Sequence, residues 1–599
     1  MADSHSQRDY SDVLSRRTFV TLTGATGAAA VAGCMGGDDD DDSPGDQDDG
    51  NGDTNGDTNG DAGVDEAINE DHPDVYFNMC EVGNPVEGFT YNPYAPDGTS
   101  SKLELVYEPY ALYDTVADEW VPALAEDWDF GGTEGTIQLR DDIEWGDGTP
   151  LDAESLMVQW TILEEREAAA FDFVEEVEAT GDYELTFRYP DGANPDIIQQ
   201  AILGNYANNP PAQFEEAAEN DDVSAVDIDA DEPIPSGPFE LDDVSDAYHQ
   251  LKPREEGHPH ADNYNWGGYR MRNRGSNQAA HQSFIEQELD GIISLFAGPG
   301  VLGQFPDSLE QIQIPGAFGM GLTPNHDEGA LGQREVRQAI AHSFDRETVI
   351  QNVGPDTKVH HPAYTGLPEA VNEGWLGEDY VDEYNQYEHD PDRAAELLDE
   401  VGLEPADVPA EVIVPAGWSD WVIGASTVVD NLSQAGFEAS LNTLGGAYWG
   451  LMGSGDFELL CYPHNWGTDA FIPFFALRHK LLNREHPPGS WFNYPDTVEF
   501  EGEEIDLSEE VPKLASSQDE DEIQELVEKL TRLVNEDLPM IVVMEKYEQH
   551  FIDREFWEFP DEVDDHPRMR VFWPMYQLPR TEDSLSGADT PGLMKCTGR

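Results

Sequence analysis

At 599 residues, 38% of them hydrophobic, the chain has material for well-packed cores but is too long for one, so two or three lobes are expected. Its 125 Asp and Glu against 30 Lys and Arg give a formal net charge of −95, which excludes nucleic acid as a partner because nothing here would neutralise a row of phosphates. The acid runs through the whole sequence, and such self-repulsion is tolerated where concentrated salt screens it within about 3 Å at 1 M, so the balance reads as that of an extreme halophile.

The first 34 residues read as an export segment rather than part of the fold. Ser15-Arg16-Arg17-Thr18-Phe19-Val20 has the twin-arginine export pattern, carried by Arg16 and Arg17. The stretch behind it, Thr18 to Gly33, is rich in Ala, Gly and Thr and too short and weakly apolar for a membrane span. It ends in Val31-Ala32-Gly33-Cys34, a lipobox pattern in which small residues admit the processing enzyme and the Cys34 thiol receives lipid. A lipid anchor on the extracellular face of the membrane is the localisation expected.

Residues 35–71 read as an acidic linker. Asp38 to Asp42 is an unbroken acidic run, and Asn51-Gly52-Asp53-Thr54-Asn55-Gly56-Asp57-Thr58 is a polar, Gly-rich repeat with no apolar residue to drive its ordering. A calcium loop would need Gly at its sixth position and Glu at its twelfth, and no register supplies both. A stalk that lifts the lobes off a lipid surface fits better. The four cysteines, Cys34, Cys80, Cys461 and Cys596, form no paired CxxC, and with Cys34 lipidated no complete disulfide framework is possible.

Beyond His72, strand-like and helix-like segments alternate, which predicts α/β lobes. Thr136-Ile137-Gln138-Leu139 and Ile143-Glu144-Trp145 alternate with period two. Gly146-Asp147-Gly148-Thr149-Pro150 turns the chain, and Asp152 caps a helix predicted through Glu165. Asp390-Pro391 opens another helix, cap followed by Pro, that buries Leu397, Leu398 and Val401 and stops at Gly402. Ile523, Leu526, Val527, Leu530, Leu533 and Val534 form the clearest helical stripe; Pro539 ends it, and Met540 to Met544 reads as a buried strand.

Five collinear segments carry a resemblance. They are Val121-Pro122-Ala123-Leu124-Ala125-Glu126-Asp127-Trp128, the run from Leu139-Arg140 through Trp145-Gly146-Asp147-Gly148-Thr149-Pro150-Leu151-Asp152-Ala153-Glu154, and Ser236-Gly237-Pro238-Phe239. Further on come Arg334-Glu335-Val336-Arg337-Gln338-Ala339-Ile340-Ala341-His342-Ser343-Phe344-Asp345-Arg346 and Asp390-Pro391-Asp392-Arg393-Ala394-Ala395-Glu396-Leu397-Leu398. In this order they resemble the extracellular solute-binding proteins of the peptide/nickel (dipeptide/oligopeptide) ABC transporter family, here of halophilic archaeal type. The resemblance implies an α/β, two-lobed periplasmic-binding-protein-like clamp with an extra subdomain inserted in the first lobe. It places the first lobe at 72–321, the second at 322–540 and a C-terminal return to the first lobe at 541–599, with the Trp- and Phe-rich stretch Phe551 to Pro579 completing it.

Peptide binders of this family hold the ligand α-amine with an acidic residue in a W-x-x-D segment, which the resemblance transfers to Trp466-Gly467-Thr468-Asp469. A carboxylate in a closed cleft would give ammonium a charge-assisted hydrogen bond worth about 1.5–3 kcal/mol, and Trp466 would add apolar and cation–π contact. Tyr91 and Asn92 stand where the family's first lobe approaches ligand, and Trp418, Trp421, Tyr448 and Trp449 are aromatics suited to side-chain pockets. Arg337, Asp345 and Arg346 read as structural ties, with the two arginines nine apart on a helix. No segment reveals an Arg for a peptide's terminal carboxylate. His258-Pro259-His260 and His360-His361 would be the nickel candidates, but neighbouring histidines do not converge on one metal, so no metal and no cofactor is assigned.

The function expected is capture of di- or oligopeptides and delivery to ABC permease subunits, by a protein expected to be a monomer. Oligosaccharide or nickel is the alternative solute. A secreted hydrolase would need a nucleophile elbow, an HExxH or a defined carboxylate pair; the first two are absent and the third is not separable in so acidic a chain.

Overall fold

The computed structural model describes residues 72–82, 91–94, 103–114 and 119–558, apart from short internal stretches, together with 595–596. Arg16, Arg17, Cys34 and the linker 35–71 lie outside the described residues. The architecture is organised by one 11-stranded mixed sheet. Its strands in chain order are β1 (His72–Val82), β2 (Phe239–Ser245), β3 (Tyr248–Pro253), β4 (Trp266–Arg274), β5 (Gly291–Ile292), β6 (Leu309–Pro324), β7 (Lys358–Val359), β8 (Glu411–Pro415), β9 (Ser440–Leu444), β10 (Leu459–Pro463) and β11 (Ile541–Asp553). Across the sheet they run β2-β3-β4-β1-β5-β11-β6-β10-β8-β9, with β7 on a further edge of β11.

Both ends of this sheet are parallel at their cores: β1 with β4 and β5, and β8 with β9 and β10. Parallel pairs need crossover segments, and these supply the helices. Between the two ends lie β6 and β11, long and antiparallel to each other. One end packs Phe77, Met79, Leu251, Tyr269 and Met271 into a core that Trp557 enters from near the chain's other end, 4.9 Å from Phe77 and 5.4 Å from Trp266. The other end buries Val412, Ile413, Val414, Leu459 and Leu460 against Trp421 and the stripe Leu526, Val527, Leu530, Leu533 and Val534.

Between β1 and β2 in sequence sits a separate four-stranded antiparallel sheet, Ala125–Gly131, Glu134–Leu139, Glu184–Arg188 and Glu176–Gly181 in that spatial order. Ile137, Leu139, Leu185 and Phe187 bury its inner face against Leu156 and Trp160 of the Ala153–Glu165 helix. That helix starts where the sequence predicts: Asp152 accepts from the Ser155 amide, and Ser155 Oγ returns the contact to the Asp152 amide, a reciprocal cap.

Three expectations are adjusted. Ile143 and Trp145 are buried and Glu144 exposed, as alternation requires, but the segment makes a single bridge to Pro150 instead of a strand because Gly148 (φ 82°) folds the chain back. Val401 is a half-buried helix cap rather than part of the buried face, with Gly402 (φ 76°) beyond it. Arg337 and Arg346 sit on two helices, Arg334–His342 and Arg346–Val353, because Asp345 caps a new one by accepting from the Thr348 amide.

Candidate functional site

The functional geometry centres on the pairing of β6 with β11. Register is continuous from Leu309↔Asp553 to Pro315↔Tyr547, then breaks, and resumes at Gly319↔Glu545. β6 advances four residues there while β11 advances two, a bulge that interrupts the ladder where the two ends of the sheet meet. Phe318 in the bulge stacks on Trp421 (centroids 5.6 Å) and meets Trp418 at 5.9 Å, and Lys546 Nζ lies 4.6 Å over the Phe318 ring. The next residue has to be glycine. A Cβ on Gly319 would collide with the Met544 carbonyl and the Glu545 Cα and stand 2.9 Å from His464 Cδ2.

That close approach brings together three side chains far apart in sequence. Glu545 Oε2 accepts from His361 Nε2 (2.7 Å) and the Glu369 amide (3.1 Å), and His464 Nε2 approaches it at 3.2 Å on a bent line. All three side chains are buried. Behind His361, Nδ1 faces Glu369 Oε2 at 3.6 Å, and Glu369 is held by Asn372 and the Tyr380 hydroxyl. Behind His464, Nδ1 faces Asn465 Nδ2 at 3.2 Å, and Asn465 Oδ1 accepts from the buried Lys480 at 2.5 Å. Burial works against ionising Glu545, but His361 and His464 outweigh it and hold its pKa down at about 2. His361 is pushed down by burial and then lifted above its ordinary value by Glu545 and Glu369. His464 is driven down to about 4, mainly by burial, and stays neutral near pH 7.

His361, His464 and Glu545 are the one group of three metal-ligating side chains among the described residues, with ligand atoms within 4.8 Å of one another. Their hydrogen bonds argue against a metal ion. Lys480 Nζ donates to Asn465 Oδ1 and to the Ala476 carbonyl, and Asn465 Nδ2 faces His464 Nδ1. His464 Nδ1 is therefore the acceptor, and Nε2, the atom facing Glu545, carries the proton and has no lone pair for a metal.

The two ends of the molecule touch at several points. Asn277 Nδ2 meets Ser419 Oγ at 3.2 Å, next to the Phe318–Trp418–Trp421 group. The inserted sheet region reaches across through Phe173, edge-on to Phe474 at 5.3 Å, and through Asn194 and Gln518, which bond the Ala515 and Ala193 carbonyls.

Of the residues singled out in the sequence, Trp418 is half-buried at this junction and Trp421 is buried beside it. Tyr448 is buried and donates to the Cys461 carbonyl at 2.5 Å. Tyr91 is buried 3.1 Å from His249. Asn92 donates to the Val223 and Val226 carbonyls and accepts from the Tyr94 amide. Asp469 lies in the helical turn Thr468–Phe471, directly after the His464–Asn465 pair. Its side chain, like Trp466 and Trp449, lies outside the described residues. Arg337 is buried, holding Asp537 at 2.6 Å and the Asp537, Leu538 and Leu331 carbonyls, and Arg346 holds the His361, Gln386 and Tyr387 carbonyls. Both are structural. His360 is exposed while its neighbour His361 is buried in the hub, His258 contacts Glu108 at 3.5 Å, and His260 lies outside the described residues. Cys80 and Cys461 are buried.

The profile of the Bacterial extracellular solute-binding proteins, family 5 (Middle), matches residues 119–485, more than half of the chain. Among solved structures, the chain is similar to a periplasmic oligopeptide-binding protein of an oligopeptide ABC transporter from Thermotoga maritima, crystallised with mannohexaose. The TM-score is 0.73 at 20% identity, covering 88% of this chain and 99% of that one. It is similar also to the oligopeptide-binding protein AppA from Bacillus subtilis in complex with a nonapeptide (TM-score 0.65, 14% identity, 84% and 97% covered). NikZ from Campylobacter jejuni in complex with Ni(L-His) gives a TM-score of 0.64 at 16% identity, with 81% and 94% covered. These structures share the two-lobed fold, and the profile match shows that this chain belongs to the family 5 extracellular solute-binding proteins.

Proposed function

We propose that the protein captures a peptide between its lobes, holds the peptide's α-amine with Asp469, and presents it to the permease. As a family 5 member it is the extracellular substrate-binding part of an ABC importer and not an enzyme. One observation carries the peptide reading. The segment holding Asp469 leaves strand β10 at His464, whose amide donates to the Gly319 carbonyl on β6 at 3.0 Å and whose ring meets Glu545 on β11. His464, where that segment begins, is thus tied to both β6 and β11 at the bulge; in this reading these strands join the lobes, and a lobe-closing motion would turn there. Trp466 and Trp418 add apolar and cation–π surface for the bound chain. In this reading the crossing lies near Leu322, the return near Met540, and Cys34 anchors a monomer to the outer membrane face. No described helix is long and apolar enough to cross a membrane.

A second solute class is favoured by a specific feature. Phe318, Trp418 and Trp421 cluster at the joining strands, and aromatic faces suit sugar rings as well as peptides. A thermal-shift screen in about 3 M KCl with di- to pentapeptides, oligosaccharides and NiCl2 separates the classes. A ligand at 100 times its dissociation constant adds about 2.7 kcal/mol. The peptide reading requires a raised midpoint with peptide that Asp469→Ala abolishes. A midpoint raised by oligosaccharide or nickel alone overturns it.

A further inference from the structure

We propose that Arg270 and Arg272, side by side on one face of β4, form a binding site for a phosphate group. The site does not rest on the peptide reading above. Along β4 the side chains alternate: Tyr269 and Met271 enter the core with Phe77, Met79 and Leu251, while Arg270, Arg272 and Arg274 stand half-buried on the other face. At a rise of about 3.3 Å per residue, successive arginines are about 7 Å apart, close enough for two of them to share one anion. Without an anion the crowding is unfavourable. Burial, and then the charges of Arg270 and Arg274, press the Arg272 pKa below its ordinary value, although a guanidinium stays charged.

In a chain with 125 acidic residues, carboxylates would be the ordinary answer to such a pair. Instead a carboxamide stands between each arginine and an acid. Gln250, opposite Arg270 on β3, accepts from Arg270 Nε at 2.9 Å and from Nη2 through Oε1, and its Nε2 donates to Asp242 at 2.7 Å. Asn78 on β1 accepts from Arg272 Nε at 3.3 Å and Nη2 at 3.2 Å through Oδ1, and its Nδ2 donates to the buried Asp290 at 2.9 Å. Both amides are buried, and both are oriented from two ends, since arginine offers only protons and an ionised carboxylate only lone pairs. Arg274 shows the other outcome. Its Nε donates to Ser283 Oγ at 2.6 Å, but Glu288 also reaches its Nη2 at 3.0 Å, so this third charge is already paired.

Arg270 and Arg272 have thus each committed Nε and Nη2 to a single neutral oxygen. The end-on edge of each guanidinium, Nη1 with the second Nη2 proton, meets no carboxylate or other acceptor among the described residues. The rings of Tyr76 and Tyr248 lie against Arg270 at 4.8 and 5.1 Å and help to hold its plane. One guanidinium fork is enough for a planar carboxylate. Two adjacent forks on one face suit a tetrahedral phosphate, which has oxygens for both and charge enough to relieve their repulsion.

Isothermal titration of the full chain with potassium phosphate in about 1 M KCl tests the site, because salt at that level screens unspecific attraction within about 3 Å. The wild type should bind saturably, and Arg270→Gln and Arg272→Gln should each weaken binding by about tenfold or more. Arg393→Gln, which removes an exposed arginine paired to Glu396 and Glu400, should leave it unchanged. No saturable binding, or binding that survives both substitutions at the pair, overturns the proposal. Potassium acetate bound as tightly as phosphate overturns the phosphate assignment. Should either variant fail to fold, phenylglyoxal labelling of the wild type, mapped by mass spectrometry, reads the same contact. Phosphate should protect Arg270 and Arg272 and not Arg393, and equal labelling with and without phosphate overturns the site. Vesicles of phosphatidylcholine, with and without one part in five of phosphatidic acid, identify the source of the phosphate. Co-sedimentation that needs phosphatidic acid, and that free phosphate and Arg272→Gln both abolish, assigns a lipid headgroup. Phosphate binding without co-sedimentation assigns a free phosphate compound.

Discussion

Two buried carboxylates, Asp537 and Glu545, lie eight positions apart at the same end of the molecule and are satisfied by opposite chemistry. Asp537 accepts from Arg334, Arg337 and the Tyr494 hydroxyl, each at 2.6 Å. Glu545 accepts from the His361 imidazole and the Glu369 amide, with the His464 ring at 3.2 Å. Guanidinium stays charged at any pH a protein survives, so the Asp537 site is a fixed clamp on the end of the Glu520–Asp537 helix. Imidazole charges and discharges near neutrality, so the Glu545 site answers to the solution. The pair shows that burial alone does not make a carboxylate responsive; the identity of its donor does.

The largest expected effect breaks the clamp. Arg337→Ala leaves Asp537 buried beside a half-exposed Arg334 and orphans three carbonyls, and should cost about 3–5 kcal/mol in denaturant unfolding. The loss should be the same at pH 6 and pH 9; a loss that varies with pH would erase the contrast. Glu545→Gln at the other site should cost less, about 1–3 kcal/mol, because its histidine partners can go neutral where an arginine cannot. Gly319→Ala tests the packing that brings His464 to Glu545, with a similar expected cost of about 1–3 kcal/mol from overpacking.

A pH titration of stability sharpens the comparison further. His326 and His479 are driven to about 3 and His464 to about 4 by burial. A histidine whose folded pKa is depressed binds its proton in the unfolded chain first, so each costs stability as pH falls below 6.5, by up to about 1.4 kcal/mol per unit until its folded value is reached. His361 has the opposite sign. Its raised pKa contributes stability that is complete below 6.5 and is lost as pH rises through the folded value. His361→Gln should therefore flatten the alkaline limb alone, and His479→Gln the acid limb alone, read as unfolding midpoints across pH 4 to 9. The smallest effect belongs to the helix cap: Asp152→Ala should cost about 1 kcal/mol and leave both limbs unchanged.

Local features were legible in the sequence because their signals are local. Asp152 and Asp390-Pro391 announce helix starts, Ile137 and Leu139 alternate, and the stripe from Leu526 to Val534 repeats at helical spacing. The contact between His361 and Glu545 was not legible. His361 and Glu545 lie 184 residues apart, and among 125 acidic residues one more Glu carries no signal. What could have drawn notice is position: Glu545 directly continues the apolar run Ile541 to Met544, where an unpaired charge would not be tolerated. The motif position of Asn92 likewise carries no sign that its amide donates to the Val223 and Val226 carbonyls, partners more than 130 residues away.

The return of the chain along β11 also sets an order of assembly. Everything from Asn325 to Leu538 is one uninterrupted stretch and can gather its own core as it is made. The first-made portion cannot finish, because β5 and β6 lack their shared neighbour until residues 541–553 arrive, and the pocket between Phe77 and Trp266 stays empty until Trp557 fills it. A chain stopped at Met540 would carry a long open β-edge and an unfilled aromatic core, the condition that invites pairing with another copy. The earliest residues of the fold are thus the last to become native.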